Sequence, residues 1–164
     1  MKALTLTQPW ATLVAIGAKR IETRSLRTDY RGPLAIHAAK GFPRIDVFAW
    51  YTLGDCVKGE LAAFDIRSFA QIEQLPRGVV VAVCNLLAVH EILQNHTGDE
   101  WNIMTLDGRK HTWRLTTEER AFGDYSGGRY AWLLADVQKL AVPVAARGAL
   151  GLWDCAAPEL AQEA

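Results

Sequence analysis

Apolar and polar positions alternate from Lys2 to Leu6, the period of a strand, and Thr7 and Gln8 then lead into a short helix over Pro9–Ile16. Trp10, Leu13 and Val14 fall on one helical face at three-and-four spacing, so this helix has a surface to bury. Pro9 suits the first turn, where its missing N–H costs nothing, and Gly17 suits a left-handed close. Arg20 to Ser25 returns to period two, with Ile21 and Thr23 on one face and Arg20, Glu22 and Arg24 on the other. Lys19 lies too near the turn for strand parity to place it. Residue types alone predict a solvated charged face here, held by a weak ion pair worth at most about 1 kcal/mol.

Arg27 to Pro33 has loop composition, and Leu34–Ala38 restores a strand that is expected to return beside the first pair. Val47, Trp50 and Tyr51 stand at helical spacing within Arg44–Leu53, a pattern that core packing produces more readily than base stacking does. Gly59 to Leu75 predicts one or two short helices, broken at Pro76-Arg77-Gly78. Val79–Val89 is β-branched and apolar on both faces, which predicts a buried strand through the centre. Gln94 to Leu115 is polar and turn-rich, anchored only by Trp101, Ile103 and Trp113, and reads as a long connection without regular structure, of the kind that is often functional or mobile. Thr116 with Glu119 forms a capping box opening a brief helix that ends near Gly123. Asp124–Gly128 reads as a turn, Arg129–Val137 as a strand, and Val142–Trp153 as a last strand pair around Gly148. The expected organisation is one domain over residues 1–155 with a short acidic tail at 156–164.

Composition changes this picture little, and charge changes it more. The chain has 164 residues, half of them apolar, enough for one real core. No apolar run approaches the twenty or so residues of a membrane span, and the N-terminus lacks a signal-peptide core, so a cytoplasmic protein without membrane contact is expected. Cys56, Cys84 and Cys155 are odd in number and widely spaced, as reduced thiols are. The 18 basic residues balance the 18 acidic ones, yet Gly17 to Arg44 holds seven bases (Lys19, Arg20, Arg24, Arg27, Arg31, Lys40, Arg44) against Glu22 and Asp29. A neutral chain with one basic quarter suggests a site rather than a coat.

Competing motifs fail on spacing. His90-Glu91 is followed by His96, six positions on, where two zinc ligands on one helical face need four. Gly123 to Gly128 outlines a phosphate loop but leads through Arg129 and Tyr130 into a strand rather than a helix. No nucleophile elbow, dinucleotide fingerprint or calcium loop occurs, and no motif calls for a metal or an organic cofactor.

Gly17-Ala18-Lys19-Arg20-Ile21-Glu22-Thr23-Arg24 resembles the Gly-x-Lys-x-x-Glu-x-Arg signature of the ASCH family, among the PUA-like proteins. Gln8-Pro9-Trp10, Tyr30-Arg31-Gly32, Ile36-His37-Ala38, Gly127–Trp132 and Gly151-Leu152-Trp153 resemble its longer bacterial members. The resemblance implies an α+β fold: a small mixed, mainly antiparallel PUA-like β-barrel with helices capping its ends. It also implies a cleft at the signature that binds RNA, another single strand, or a modified nucleoside. The residues it points to are Trp10, Lys19, Glu22, Arg24, Ser25, Tyr30, Arg31, His37, Arg129 and Tyr130. His37, among apolar neighbours, reads by residue type as a hydrogen-bonded core residue.

Some relatives are hydrolases, either ribonucleases or amidohydrolases on acylated cytidine, and such an activity would put Lys19 and Glu22 in catalytic roles. The small amidohydrolases carry Thr where this chain has Glu22, and Thr23, one place along, faces the other side of the strand. In the binding reading Arg24, Arg31 and Arg129 contact phosphate, Trp10, Tyr30 or Tyr130 stacks on a base, and Glu22 accepts from an exocyclic amine. In the enzymatic reading Glu22 is general acid or base, Lys19 is made partly neutral by Arg20 and Arg24, and Arg129 steadies negative charge.

Overall fold

The computed structural model describes residues 1–41, 54–93, 101–105, 110–113 and 117–158, of which 101–105, 110–113, 117 and 118 are described by their backbone alone. The helix expected over Arg44–Leu53 lies outside the described residues. In chain order the elements are β1 (Lys2–Leu6), α1 (Trp10–Ala15), β2 (Ile21–Arg24), β3 (Gly32–Ala38), α2 (Asp55–Ala62), α3 (Phe69–Glu73), β4 (Val79–Leu93), β5 (Trp101–Thr105), β6 (Lys110–Trp113), α4 (Thr117–Ala121), β7 (Tyr130–Ala145) and β8 (Leu152–Asp154).

The fold is α+β, with a mixed, mostly antiparallel sheet in the order β2-β7-β4-β3-β1-β8 and a β5–β6 hairpin paired to the end of β4. β1 and β3 are its parallel pair. The pairings among the described residues form a path with two ends, β2 and β8, and not the closed ring of a barrel. β4 lies between β3 and β7, and Val80 to Cys84 of its β-branched run are buried on both faces of the sheet.

Three expectations are corrected. β3 does not return beside both earlier strands: it pairs with β1 and β4, while β2 pairs with β7. Gln94 to Leu115 is not a bare connection, because β5 and β6 form in it. Val142 to Trp153 is not a hairpin about Gly148: Val142 to Ala145 continue β7, and β8 runs antiparallel to β1. Pro143 falls where the register of β7 against β4 shifts between Val80 and Ala82, a place that tolerates a missing donor.

α1 is buried on two sides. Ala11, Val14 and Ala15 pack on Leu4, Leu6, Ile36 and Trp132 of the sheet, and Leu13 packs with Val57, Leu61, Ile72 and Phe122 of the helical layer. Fully burying Leu13 alone contributes roughly 1.5–3 kcal/mol. Gln8, fully buried, holds the helix start: its Oε1 accepts from Thr12 N at 3.1 Å and Thr12 Oγ1 at 2.9 Å, and its Nε2 donates to Pro76 O at 2.8 Å. Gly17, at φ +79°, ends the helix in the left-handed conformation that its residue type anticipates.

Candidate functional site

The anchored helix fixes where Lys19 emerges, because Lys19 N donates to Leu13 O at 3.0 Å across the Gly17 turn. From there the side chain runs inward, and only 1% of Lys19 is exposed. Its Nζ donates to Ile21 O and to Phe122 O, both at 2.6 Å, and stands 3.3 Å from Glu22 Oε2. The same Nζ lies 5.8 Å from the centroid of the Trp10 ring, within cation–π range. Arg24, two residues along the same face of β2, reaches Glu22 Oε1 at 3.8 Å. The solvated charged face that residue types suggest is therefore wrong in one respect: Lys19 and Glu22 are buried, and only Arg20 is exposed.

Burial draws the Lys19 ammonium below the ordinary lysine range, and the charges of Glu22 and Glu119 oppose that shift. The cause is desolvation rather than repulsion from Arg20 and Arg24. Three acceptors surround a group that has three protons only as the ammonium, so the geometry is that of a charged lysine. Glu119 of α4 is pushed up chiefly by burial, and accepts from Tyr125 Oη at 3.0 Å.

A cavity of about 480 Å³ opens over this pair, within the range of small-molecule sites. β1, the turn after it and α1 supply Thr5, Thr7 and Trp10, β2 supplies Glu22, Thr23 and Arg24, and the chain from α4 to β7 supplies Phe122, Gly123, Asp124 and Arg129. β1 and β2 are separated by three strands in the sheet, so the sheet must curl to bring both to one cleft. Arg129 is set by Nη2 donating to Thr23 O at 3.1 Å and by Nε standing 3.4 Å from Asp124 Oδ2. Gly123 lies so close to β2 that a Cβ there would meet Thr23 Oγ1 at 2.9 Å and Cγ2 at 3.1 Å, which puts the Gly123–Asp124 turn directly against the cleft floor.

Of the residues singled out in the sequence, Trp10, Lys19, Glu22, Arg24 and Arg129 meet at this cleft. Ser25, Tyr30, Arg31, His37 and Tyr130 are not part of its lining. Ser25 is exposed beyond the end of β2. The Arg31 guanidinium donates to Thr28 O at 3.0 Å and Tyr30 O at 2.6 Å, and Tyr30 Oη donates to Pro33 O, so both hold their own loop together. Tyr130 pairs with Arg24 across β7 and β2 and packs on the core. His37 is 1% exposed and hydrogen-bonded to Thr5 and Ala146, as its apolar neighbours suggest. Sequence reasoning missed Asp124, read as a turn residue, and Glu119, read as a cap. Among the described residues no group of His, Cys, Asp and Glu could hold a metal ion, and no helix is long and apolar enough to cross a membrane.

No curated protein matches the chain. The family model described as "ASCH domain" matches residues 4–144, a span that holds the signature turn, β2 and every residue that lines the cleft. The chain belongs to the ASCH domain family.

Proposed function

We propose that this chain is a binding module for RNA or another single strand, seating one nucleotide unit, modified or not, in the cleft between β1, β2 and the Gly123–Asp124 turn. The observation that carries the reading is the pairing of a buried Lys19–Glu22 floor with Arg24 and Arg129 at the wall of one cavity. A guanidinium presents five donors and Arg129 spends only part of them on Thr23 and Asp124, which leaves a fork for phosphate. Glu22 accepts and never donates in its ionised form, so it favours a base edge bearing an exocyclic amine, as cytosine N4 does. Trp10 supplies aromatic surface beside it. The curl that brings β1 to β2 is the geometry expected of a PUA-like barrel wall, with α1 covering one end.

A hydrolytic reading, either ribonuclease or amidohydrolase on acylated cytidine, draws on the same carboxylate, since Glu22 lines the cleft as a general base would. Lys19 weighs against it. With its three protons engaged by Ile21, Phe122 and Glu22, it has no lone pair for a base or nucleophile and serves instead to position Glu22.

Titration of labelled oligocytidylate, oligouridylate and a duplex of equal length separates these readings. The binding module prefers the single strand and cytidine, loses affinity as salt rises, and loses base preference in Glu22→Gln. Absence of binding, or preference for the duplex, rejects it. Cleavage of the strand in EDTA, or release of free acid from acylated cytidine that disappears in Glu22→Gln, establishes the hydrolase instead.

A further inference from the structure

A second cavity, of about 400 Å³, lies at the end of the sheet where the parallel strands β1 and β3 finish. Thr5 belongs to the lining of both cavities, so the two border one another at the end of β1. Its floor is the buried His37, with Ala39, Ala146 and Leu150 around it, and its charged residues are Lys40 and Arg147. Both cations are exposed, and no acidic side chain lines the cavity among the described residues.

The wall of this cavity is built to a close tolerance. Gly148 lies so near His37 that a Cβ there would stand 2.4 Å from His37 Cε1 and 2.6 Å from Nδ1. The backbone after β7 is thereby laid on the imidazole, whose Nε2 donates to Ala146 O at 3.1 Å. Nδ1 is then the acceptor in the neutral ring, taking the Thr5 hydroxyl at 3.2 Å, and Thr5 Oγ1 accepts from Trp153 Nε1 at 3.0 Å. The side chains of His37, Thr5 and Trp153 beneath the floor partner one another and Ala146 O, so what the floor offers a ligand is largely apolar surface flanked by two cations.

We infer that this cavity is a second subsite for the neighbouring nucleotide of the same strand, with Lys40 and Arg147 on its phosphates. The inference rests on the proposed reading of the first cleft and extends it: the ligand is an oligonucleotide chain, and a free nucleotide fills only half the site. The shared border at Thr5 and charge complementarity select this occupant. A polyanion that leaves the first cleft at Thr5 meets two cations and an apolar floor suited to a base, and a single strand repeats that pairing of phosphate and base at each unit.

The test compares cytidine monophosphate with tetracytidylate on the full chain and on the Lys40→Glu/Arg147→Glu variant, whose substitutions are both exposed and outside the first cleft. The native chain should bind the tetramer on the order of tenfold more tightly than the monophosphate. The variant should lose that gain and about 1.4 of the slope of log affinity against log salt, at roughly 0.7 per phosphate contact, while its affinity for the monophosphate is unchanged. Gly148→Ala, which displaces the wall from His37, should weaken the tetramer alone. Equal affinity for the two ligands, a length gain that survives the double substitution, or an equal loss for both ligands overturns the second subsite and leaves the first cleft standing. Failure of both ligands to bind the native chain rejects the first cleft as well.

Discussion

Lys19 shows how a residue type misleads when its surroundings are not local. A lysine next to an arginine reads as surface, because burying an ammonium without partners is prohibitive. Its partners here are Ile21 O, two residues away, and Phe122 O, 103 residues away, and only the second closes the pocket. The signature spacing brings Glu22 to the same Nζ, but nothing in the local sequence announces that the end of α4 will lie over it. Lys19→Met should therefore cost about 3–5 kcal/mol, since it leaves Glu22 without its buried cation and two carbonyls without a donor. Glu22→Gln keeps an acceptor oxygen toward Nζ and should cost less. Urea unfolding checks both: the midpoint falls further for Lys19→Met, with the slope unchanged. If Lys19→Met unfolds like the native chain, the ammonium is not what holds α4 to β2.

Elements were legible in the sequence where their hydrophobic pattern was self-sufficient. β1 and the core of β4 declare themselves by alternation or by an unbroken β-branched run, and α3 and the second half of α2 fall within the short helices expected over Gly59–Leu75. β5 and β6 did not, because a hairpin that extends the end of β4 draws its order from pairing rather than from an apolar face. β7 was read eight residues short because its later part is exposed and contains Pro143.

That later part is held at its end by His37, which ties β3 to β1 through Thr5 and to the chain after β7 through Ala146, with Trp153 of β8 edge-on at 5.5 Å. Burial holds the His37 imidazole below its ordinary 6.5. A depressed folded value means that the unfolded chain binds more protons between the folded value and 6.5, so this contribution is complete above 6.5 and is lost as the pH falls. Protonated Nδ1 would donate toward Thr5 Oγ1, which already accepts from Trp153, and the hydroxyl would lose its acceptor. Acidification from pH 7.5 to 5.5 should lower the unfolding midpoint of the native chain more than that of His37→Gln. Equal losses would show that His37 does not carry the pH dependence.

Across the whole molecule, the cleft is where parts of the chain that lie far apart in sequence come together. Its walls come from β1 and α1, from β2, and from the segment between α4 and β7. The core proper lies elsewhere, between α1 and the sheet and under the helices. A ligand that bridges Arg24 on β2 and Arg129 before β7 while resting on Trp10 of α1 binds only when all three walls are assembled. It must then stabilise the native state as a unit, because the unfolded chain presents none of that arrangement. At a hundred times its dissociation constant, tetracytidylate should contribute about 2.7 kcal/mol, which for a chain of this size raises the melting temperature by roughly 5–10 °C. Arg24→Ala/Arg129→Ala removes two ion pairs and one hydrogen bond to Thr23 O from partly exposed side chains, so it should leave the melting temperature of the free protein nearly unchanged and abolish the shift. Differential scanning calorimetry with and without the tetramer measures both quantities. A shift of equal size in the double variant would place the ligand away from the signature cleft, and a free protein that melts much earlier would make the two arginines part of the fold rather than of the site.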